Sequence, residues 1–222
     1  MSKTLTSDDV SVVIVNYRTP DLLERAASSF RTFYPDVEMV IVDNGSNDSS
    51  AEVIDSLISR NPDKTKKIML ERNYFHGPAM DTAIRASTKE LVFLLDTDTE
   101  TYQGGFIEKI LSEFNSDGKV YGVGRIDRVT KRGFASEHGT EMILISAYMM
   151  LKRSTYMQLP PFIHHGMPTL ENFSEAMARG FELRNFDIDS CIHHAGRGTA
   201  SRFGYSLGFR SKIDFILNKV GL

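Results

Sequence analysis

Residues 91–102 read LVFLLDTDTETY, five apolar residues followed by acids at 96 and 98. An apolar run of that length, with no polar alternation and closed by an acid, fits a strand buried on both faces. Working outward, residues 10–15 (VSVVIV), 37–42 (VEMVIV) and the shorter 68–70 are runs of the same kind. Between these four strands, segments 20–33, 48–60 and 78–87 carry apolar residues at helical spacing, as in Leu22, Leu23, Ala26, Ala27 and Phe30. Pro20 suits a first helical turn, and the 44–48 cluster NGSND offers a turn and then an N-cap. Strand and helix in alternation predict an α/β fold with a mostly parallel, Rossmann-like sheet flanked by helices.

After Gln103 the pattern loosens. A helix is expected over 104–114, a strand over 120–125, a helix over 169–179 stopped by Gly180, and strands near 183–186 and 189–193. The apolar segment 141–151 is strand or helix, since periodicity alone does not separate them. No low-complexity linker or internal repeat divides the chain, which implies a single domain over 1–222.

Composition narrows the function classes. With 222 residues, 41% hydrophobic and 25% charged, the chain has the make-up of a soluble globular protein, not of a disordered, collagenous or coiled-coil one. A chain of this length buries roughly 70% of its unfolded surface. The single cysteine, Cys191, leaves no internal disulfide to help. Lysine plus arginine number 26 against 29 acids, a net charge of −3, so no global basic field recruits nucleic acid. Residues 1–9 lack the apolar core of a secretory signal. The longest apolar stretch, 142–151, is interrupted by Ser146 and falls short of the roughly 20 residues of a spanning helix. A cytoplasmic location without a transmembrane segment is the expectation.

Asp43 closes the second strand and Asp96 the fourth, placing both carboxylates at the carboxyl ends of parallel strands, where open α/β sheets bind ligands. In Asp96-Thr97-Asp98 two acids stand two residues apart, a spacing at which neighbouring carboxylates serve one divalent cation and the diphosphate it neutralises. An isolated Asp-x-Asp is common in solvated turns; its place after LVFLL, with Asp43 at a matching strand end, favours the metal reading. The first strand ends in Asn16-Tyr17-Arg18-Thr19-Pro20 with no glycine. That counts against the glycine-rich dinucleotide turn and the Walker loop, both of which bring backbone close to phosphate, and weakens the alternative of a sugar-phosphate nucleotidyltransferase.

Four blocks, VSVVIVNYRTP, VEMVIVDNGSNDSS, NYFHGPAMDTAI and LVFLLDTDTETY, resemble in order and spacing the nucleotide-sugar-binding half of glycosyltransferase family 2, enzymes of the GT-A fold. The resemblance implies a donor half over about 10–102 and an acceptor half over about 103–200, and the apolar residues Ile213, Phe215, Ile216 and Leu217 add a tail helix over 201–222. It implies that Asn16, Tyr17, Arg18, Asp43 and Asn44 hold the nucleotide. Asp96, with Thr97, would bind ribose or water around the metal, and Asp98 would coordinate Mn²⁺ or Mg²⁺. The implied activity is metal-dependent, inverting transfer from a nucleotide diphosphate sugar to a hydroxyl of a saccharide or glycoconjugate. A UDP-sugar is favoured, with guanosine and thymidine forms open.

The third block departs from the family. Where many relatives carry Arg-Asn, this chain has Met80-Asp81. Asp81 is either a member of the nucleotide pocket or a helix N-terminal acid favoured by the macrodipole. The family's Glu-Asp pair, whose Asp is the general base, would fall on Pro168-Thr169, which cannot take a proton. The nearest acid, Glu171, is the candidate base, with Glu175 one turn on. A capping role for Glu171 is equally open, and His165, beside His164, is a second candidate base. The late segment CIHHAGRG, residues 191–198, matches a family strand in which His194 or His193 completes the metal shell, an imidazole suiting Mn²⁺ better than Mg²⁺. Cys191 is expected to be buried. The stretch 197–219 holds Arg197, Arg202, Arg210, Lys212 and Lys219 against Asp214. It reads as a solvated helix, as an arm whose Arg197 or Arg202 closes on the diphosphate, or as a peripheral membrane contact.

Overall fold

The computed structural model describes residues 3–163 and 167–196. The tail helix expected over 201–222 lies outside the described residues, as do Arg197, His164 and His165.

Strand β1 (Val10–Asn16) is central and pairs in parallel with β2 (Glu38–Asp43) on one side and β4 (Leu91–Asp96) on the other. Outside β2 lies β3 (Thr65–Met69), also parallel. Beyond β4 come β7 (Glu141–Lys152), β6 (Val120–Val129) and β8 (Glu182–Asn185). β7 runs antiparallel to both β4 and β6, and β8 parallel to β6, giving the order β3-β2-β1-β4-β7-β6-β8. A separate ribbon joins β5 (Thr99–Thr101) to β9 (Ile192–His194).

Side-chain alternation along the strands divides the core in two. Val12, Ile14, Phe93 and Leu95 face α1 (Pro20–Phe33), α2 (Ser50–Arg60) and α4 (Phe106–Ser116). Val13, Val92 and Leu94 face α3 (His76–Ala86), the short α5 (Arg153–Tyr156) and α6 (Leu170–Ala178). α1 buries Leu22, Leu23, Ala26, Ala27 and Phe30, the stripe its spacing predicts. Complete burial of a Leu or Phe side chain stabilises the fold by about 1.5 to 3 kcal/mol. Cys191 is buried, as expected.

Several boundaries differ from the sequence reading. The ambiguous segment 141–151 is strand β7, because β4 and β6 each have an edge that only an extended chain can satisfy. β3 begins at Thr65 rather than at residue 68. Its Lys66 and Lys67 hide it from an apolar search, yet they suit a sheet edge, where Lys66 pairs with Glu38 and Lys67 with Asp55. α3 starts at His76, two residues early, and α2 at Ser50, two residues late. The strand expected at 189–193 is a 3₁₀ turn, Ile188–Ser190, followed by β9. The three-residue β5 has no sequence signal of its own, since its ladder exists only with β9 in place.

Candidate active site

Asp96 is the last residue of β4, and a two-residue turn carries the chain through Asp98 into β5. The turn is fixed by Thr99 Oγ1 donating to Asp96 O at 2.6 Å and by Ala195 N donating to Asp98 O at 2.9 Å. In the β5–β9 register Thr99 stands opposite His194, which brings a histidine nearly a hundred residues away to the acids. His194 Nε2 lies 3.2 Å from Asp98 Oδ1. One ligand atom each from Asp96, Asp98 and His194 falls within 4.8 Å of the others. Two carboxylates and an imidazole suit a divalent cation such as Mn²⁺. Of the two candidate histidines, His193 is exposed and stands opposite Glu100, so the pleat selects His194.

The electrostatics agree with a site that wants positive charge. Burial pushes the Asp96 carboxyl above its ordinary range, and Asp98 pushes it the same way, against the pull of His76 and His194. The hydrogen bond from His194 to Asp98 holds the imidazole above its ordinary value, although burial opposes this.

A chain of side-chain hydrogen bonds ties this cluster to the strand ends. Asn16 Nδ2 donates to Asp43 Oδ1 at 3.0 Å, Thr19 Oγ1 donates to Asn16 Oδ1 at 3.0 Å, and Thr19 and Thr97 share a bond of 3.1 Å. Asp43 Oδ2 accepts Ser46 N at 2.9 Å. Asn16 and Thr97 are therefore internal struts between Asp43 and the Asp96–Asp98–His194 cluster. Asn44 is committed as well, donating to Asn73 Oδ1 and Phe75 O and accepting Tyr74 N. Beyond the strand end Tyr17 is half-buried and Arg18 exposed, with the Arg18 guanidinium 5.2 Å from the Tyr17 ring centroid. Gly45 lets the 43–46 loop pass: at φ 75°, its Cβ would fall 2.3 Å from the Arg72 carbonyl carbon.

Asp81 stands apart from that network. Its carboxylate accepts Arg85 Nε at 2.9 Å and Tyr156 Oη at 2.7 Å, linking α3 to α5. Tyr156 Oη in turn accepts Phe162 N at 3.1 Å, so Asp81 anchors the loop that leads toward α6. Met80, where the family resemblance leads to an expectation of arginine, is a core residue. Glu171 is exposed in the first turn of α6, and Glu175 is paired with Arg179 at 2.7 Å. Thr169, at the position expected for the base, is buried, and its Oγ1 has no partner among the described residues.

Two features escape a reading of the sequence. His76 Nε2 reaches within 3.4 Å of Asp96 Oδ1; its only sequence signal is a histidine before the glycine of a helix-entry turn. Behind His194 lies a second network. The Tyr148 ring packs edge-on against His194 with centroids 5.7 Å apart, and Asp189 accepts both Tyr148 Oη and Arg125. Burial raises the Asp189 carboxyl, but the Tyr148 and Arg125 bonds prevail and hold it below its ordinary 3.8. A depressed folded value adds stability that is present above the unfolded value and lost as pH falls through the folded one. Asp189→Asn is expected to cost about 1 kcal/mol or less at pH 7, since the side chain is 46% exposed and screened. Urea unfolding should show the gap closing below about pH 4.

Residues 11–176 match the family model for glycosyl transferase family 2. The chain belongs to that family. Among relatives of this family 2 chain, an uncharacterized glycosyltransferase of Nostoc sp. is 36% identical over 112 residues, 50% of this chain and 34% of that protein. The chain thus matches about a third of that relative's length. Among solved structures, the glucosyl-3-phosphoglycerate synthase of Mycobacterium tuberculosis with Mn²⁺, UDP and phosphoglyceric acid superposes with a TM-score of 0.64 at 16% identity. That likeness covers 96% of this chain and 78% of the other. A mannosyltransferase of Pyrobaculum calidifontis in complex with GDP-Man and Mn²⁺ gives 0.63 at 17% identity, covering 80% and 54%. The family 2 chain thus has the GT-A fold that its four blocks implied. Among its described residues, no helix is long and apolar enough to cross a membrane.

Proposed function

We propose that the chain is a metal-dependent, inverting glycosyltransferase that moves a sugar from a nucleotide diphosphate donor, a UDP-sugar by preference, to a hydroxyl of a saccharide or glycoconjugate. The observation that carries this reading is the cluster of Asp96, Asp98 and His194 at the carboxyl edge of the sheet, one network away from Asp43. Mn²⁺ and nucleotide diphosphates in the two solved relatives support it. Asp43, Tyr17 and Arg18 take the nucleoside, with Asn16, Asn44 and Thr97 holding the pocket in shape. Asp96, Asp98 and His194 hold the cation, which when bound supplies the positive charge that stabilises the departing diphosphate. The acceptor oxygen bonds to the anomeric carbon as the carbon–diphosphate bond breaks, and the hydroxyl proton passes to Glu171 or His165. Arg197 belongs to this reading as a cation that closes on the diphosphate, and Asp81 as the anchor of the acceptor-side loop.

Thr169 in the position of the expected acid favours one second reading, a binding domain that keeps the donor pocket and lacks a base. Calorimetric titration with a panel of UDP-, GDP- and TDP-sugars, with and without Mn²⁺, separates the two when followed by donor hydrolysis in the same mixtures. The proposal expects one donor to bind only with Mn²⁺ and to be slowly hydrolysed, with Glu171→Gln or His165→Ala slowing turnover about a hundredfold at unchanged donor affinity. Binding without turnover sustains the second reading, and no binding refutes both.

A further inference from the structure

The chain enters α3 through Phe75, a non-glycine residue at φ 70°, the left-handed region that a β-carbon disfavours. Side-chain bonds hold it there. Asn44 Nδ2 donates to Phe75 O at 3.2 Å, Asn44 Oδ1 accepts Tyr74 N at 2.9 Å, and Asn73 Oδ1 accepts Phe75 N at 2.7 Å. What this turn delivers is His76. Its Nε2 has no exposed surface and lies 3.4 Å from Asp96 Oδ1, yet no hydrogen bond has formed. The side chain as a whole is 39% exposed, so the ring has room to turn. A buried ring nitrogen facing a carboxylate without a bond is a costly arrangement that a small rotation of either group relieves. His76 also sits outside the three-residue cluster, approaching Asp96 from α3 while Asp98 and His194 belong to the β5–β9 side.

We infer that His76 is a positioning residue for Asp96, donating Nε2–H to its carboxylate and limiting it to one orientation when the site takes up its cation. Ligand carboxylates need such partners, because an unheld carboxylate must be ordered at the moment of binding. The inference rests on the reading of Asp96, Asp98 and His194 as a divalent-cation site. The turn at Phe75 then has a purpose: it places a hydrogen-bond donor where a helix beginning later, at Pro78, would place none.

The test compares His76→Gln with His76→Met in the full chain. The two side chains are close in length and volume, and only glutamine can donate a hydrogen bond. Mn²⁺ affinity is read by calorimetry, the order of the bound ion by its paramagnetic resonance spectrum, and folding by melting in metal-free buffer. His76→Met is expected to weaken Mn²⁺ binding about tenfold and broaden the spectrum. His76→Gln is expected to recover most of the affinity, with the two variants melting together. In an Asp96→Asn background, the Met and Gln variants should bind Mn²⁺ equally. Equal affinity of the Met variant and wild type overturns the inference, as does a Met–Gln difference that persists undiminished once Asp96→Asn is present. Wild-type protein that takes up no Mn²⁺ overturns the metal reading itself, and this inference with it.

Discussion

Asp98→Ala is expected to lower sugar transfer about a thousandfold, equivalent to about 4 kcal/mol of lost transition-state stabilisation. The size follows from what the residue does twice. Asp98 is one of three groups that can hold the cation, and its Oδ1 is the partner of His194 Nε2 at 3.2 Å. Alanine removes a ligand and leaves the imidazole unanchored, so the cation and its charge on the leaving diphosphate are lost together. The fold should not suffer. Asp98 lies in a turn, and its charge is one of the influences pushing the Asp96 carboxyl above its ordinary range, so its removal relieves repulsion. Metal-free Asp98→Ala should therefore melt close to the wild-type temperature, the relieved repulsion of Asp96 offsetting the lost bond to His194, while losing Mn²⁺-dependent donor binding. Calorimetry with the preferred sugar nucleotide reads the loss. Donor binding as tight and as Mn²⁺-dependent as in the wild type would remove Asp98 from the site.

Gly77→Ala is expected to cost about 3 kcal/mol of stability, lowering the melting temperature by roughly 6 to 12 °C. A β-carbon at Gly77 would lie 1.9 Å from Ile163 O, 2.8 Å from its carbonyl carbon and 2.9 Å from Pro168 Cβ. The two nearest obstacles are backbone atoms, which no rotamer change moves aside. Ile163 N also donates to Pro168 O at 3.2 Å, so displacement of one residue carries the other. This is where α3 meets the segment leading into α6, and on the proposed division into donor and acceptor halves separating them should raise the KM for acceptor more than for donor. Gly118→Ala is the matched control, since nothing lies within 4 Å of the β-carbon it would add. Melting curves decide it. If the Gly77→Ala variant and the wild-type protein unfold at the same temperature, α3 is not packed against Ile163 and Pro168 as described.

The first half of the fold was legible because its strands are buried on both faces and its helices on one. Runs such as residues 91–95 and stripes such as Leu22, Leu23, Ala26, Ala27 and Phe30 follow directly from that burial. β3 is only partly visible in sequence because an edge strand carries lysines outward, and β7 is ambiguous there because an apolar run does not reveal its own backbone state. In the site, Asp43, Asp96 and Asp98 announce themselves through position, each at or just beyond a strand end. The part that Asn16, Asn44 and Thr97 play in tying the strand-end loops together emerges only from seeing which polar atoms bond to one another. His76 carries no such mark. Its importance comes from the φ of the residue before it, and sequence does not advertise a left-handed phenylalanine.

By itself, then, the order of residues determined the α/β sheet, the acids at its carboxyl edge, the family, and the absence of a glycine-rich phosphate loop. The family came from the resemblance of four sequence blocks; the others are local properties, encoded in periodicity and in what stands at a strand end. The tertiary structure decided which histidine completes the cluster, how Asp43 is tied to Thr97, that Asp81 faces Tyr156, and that His76 looks at Asp96. Those are distances between segments far apart in the chain, set by strand register and helix packing, and no local pattern contains them.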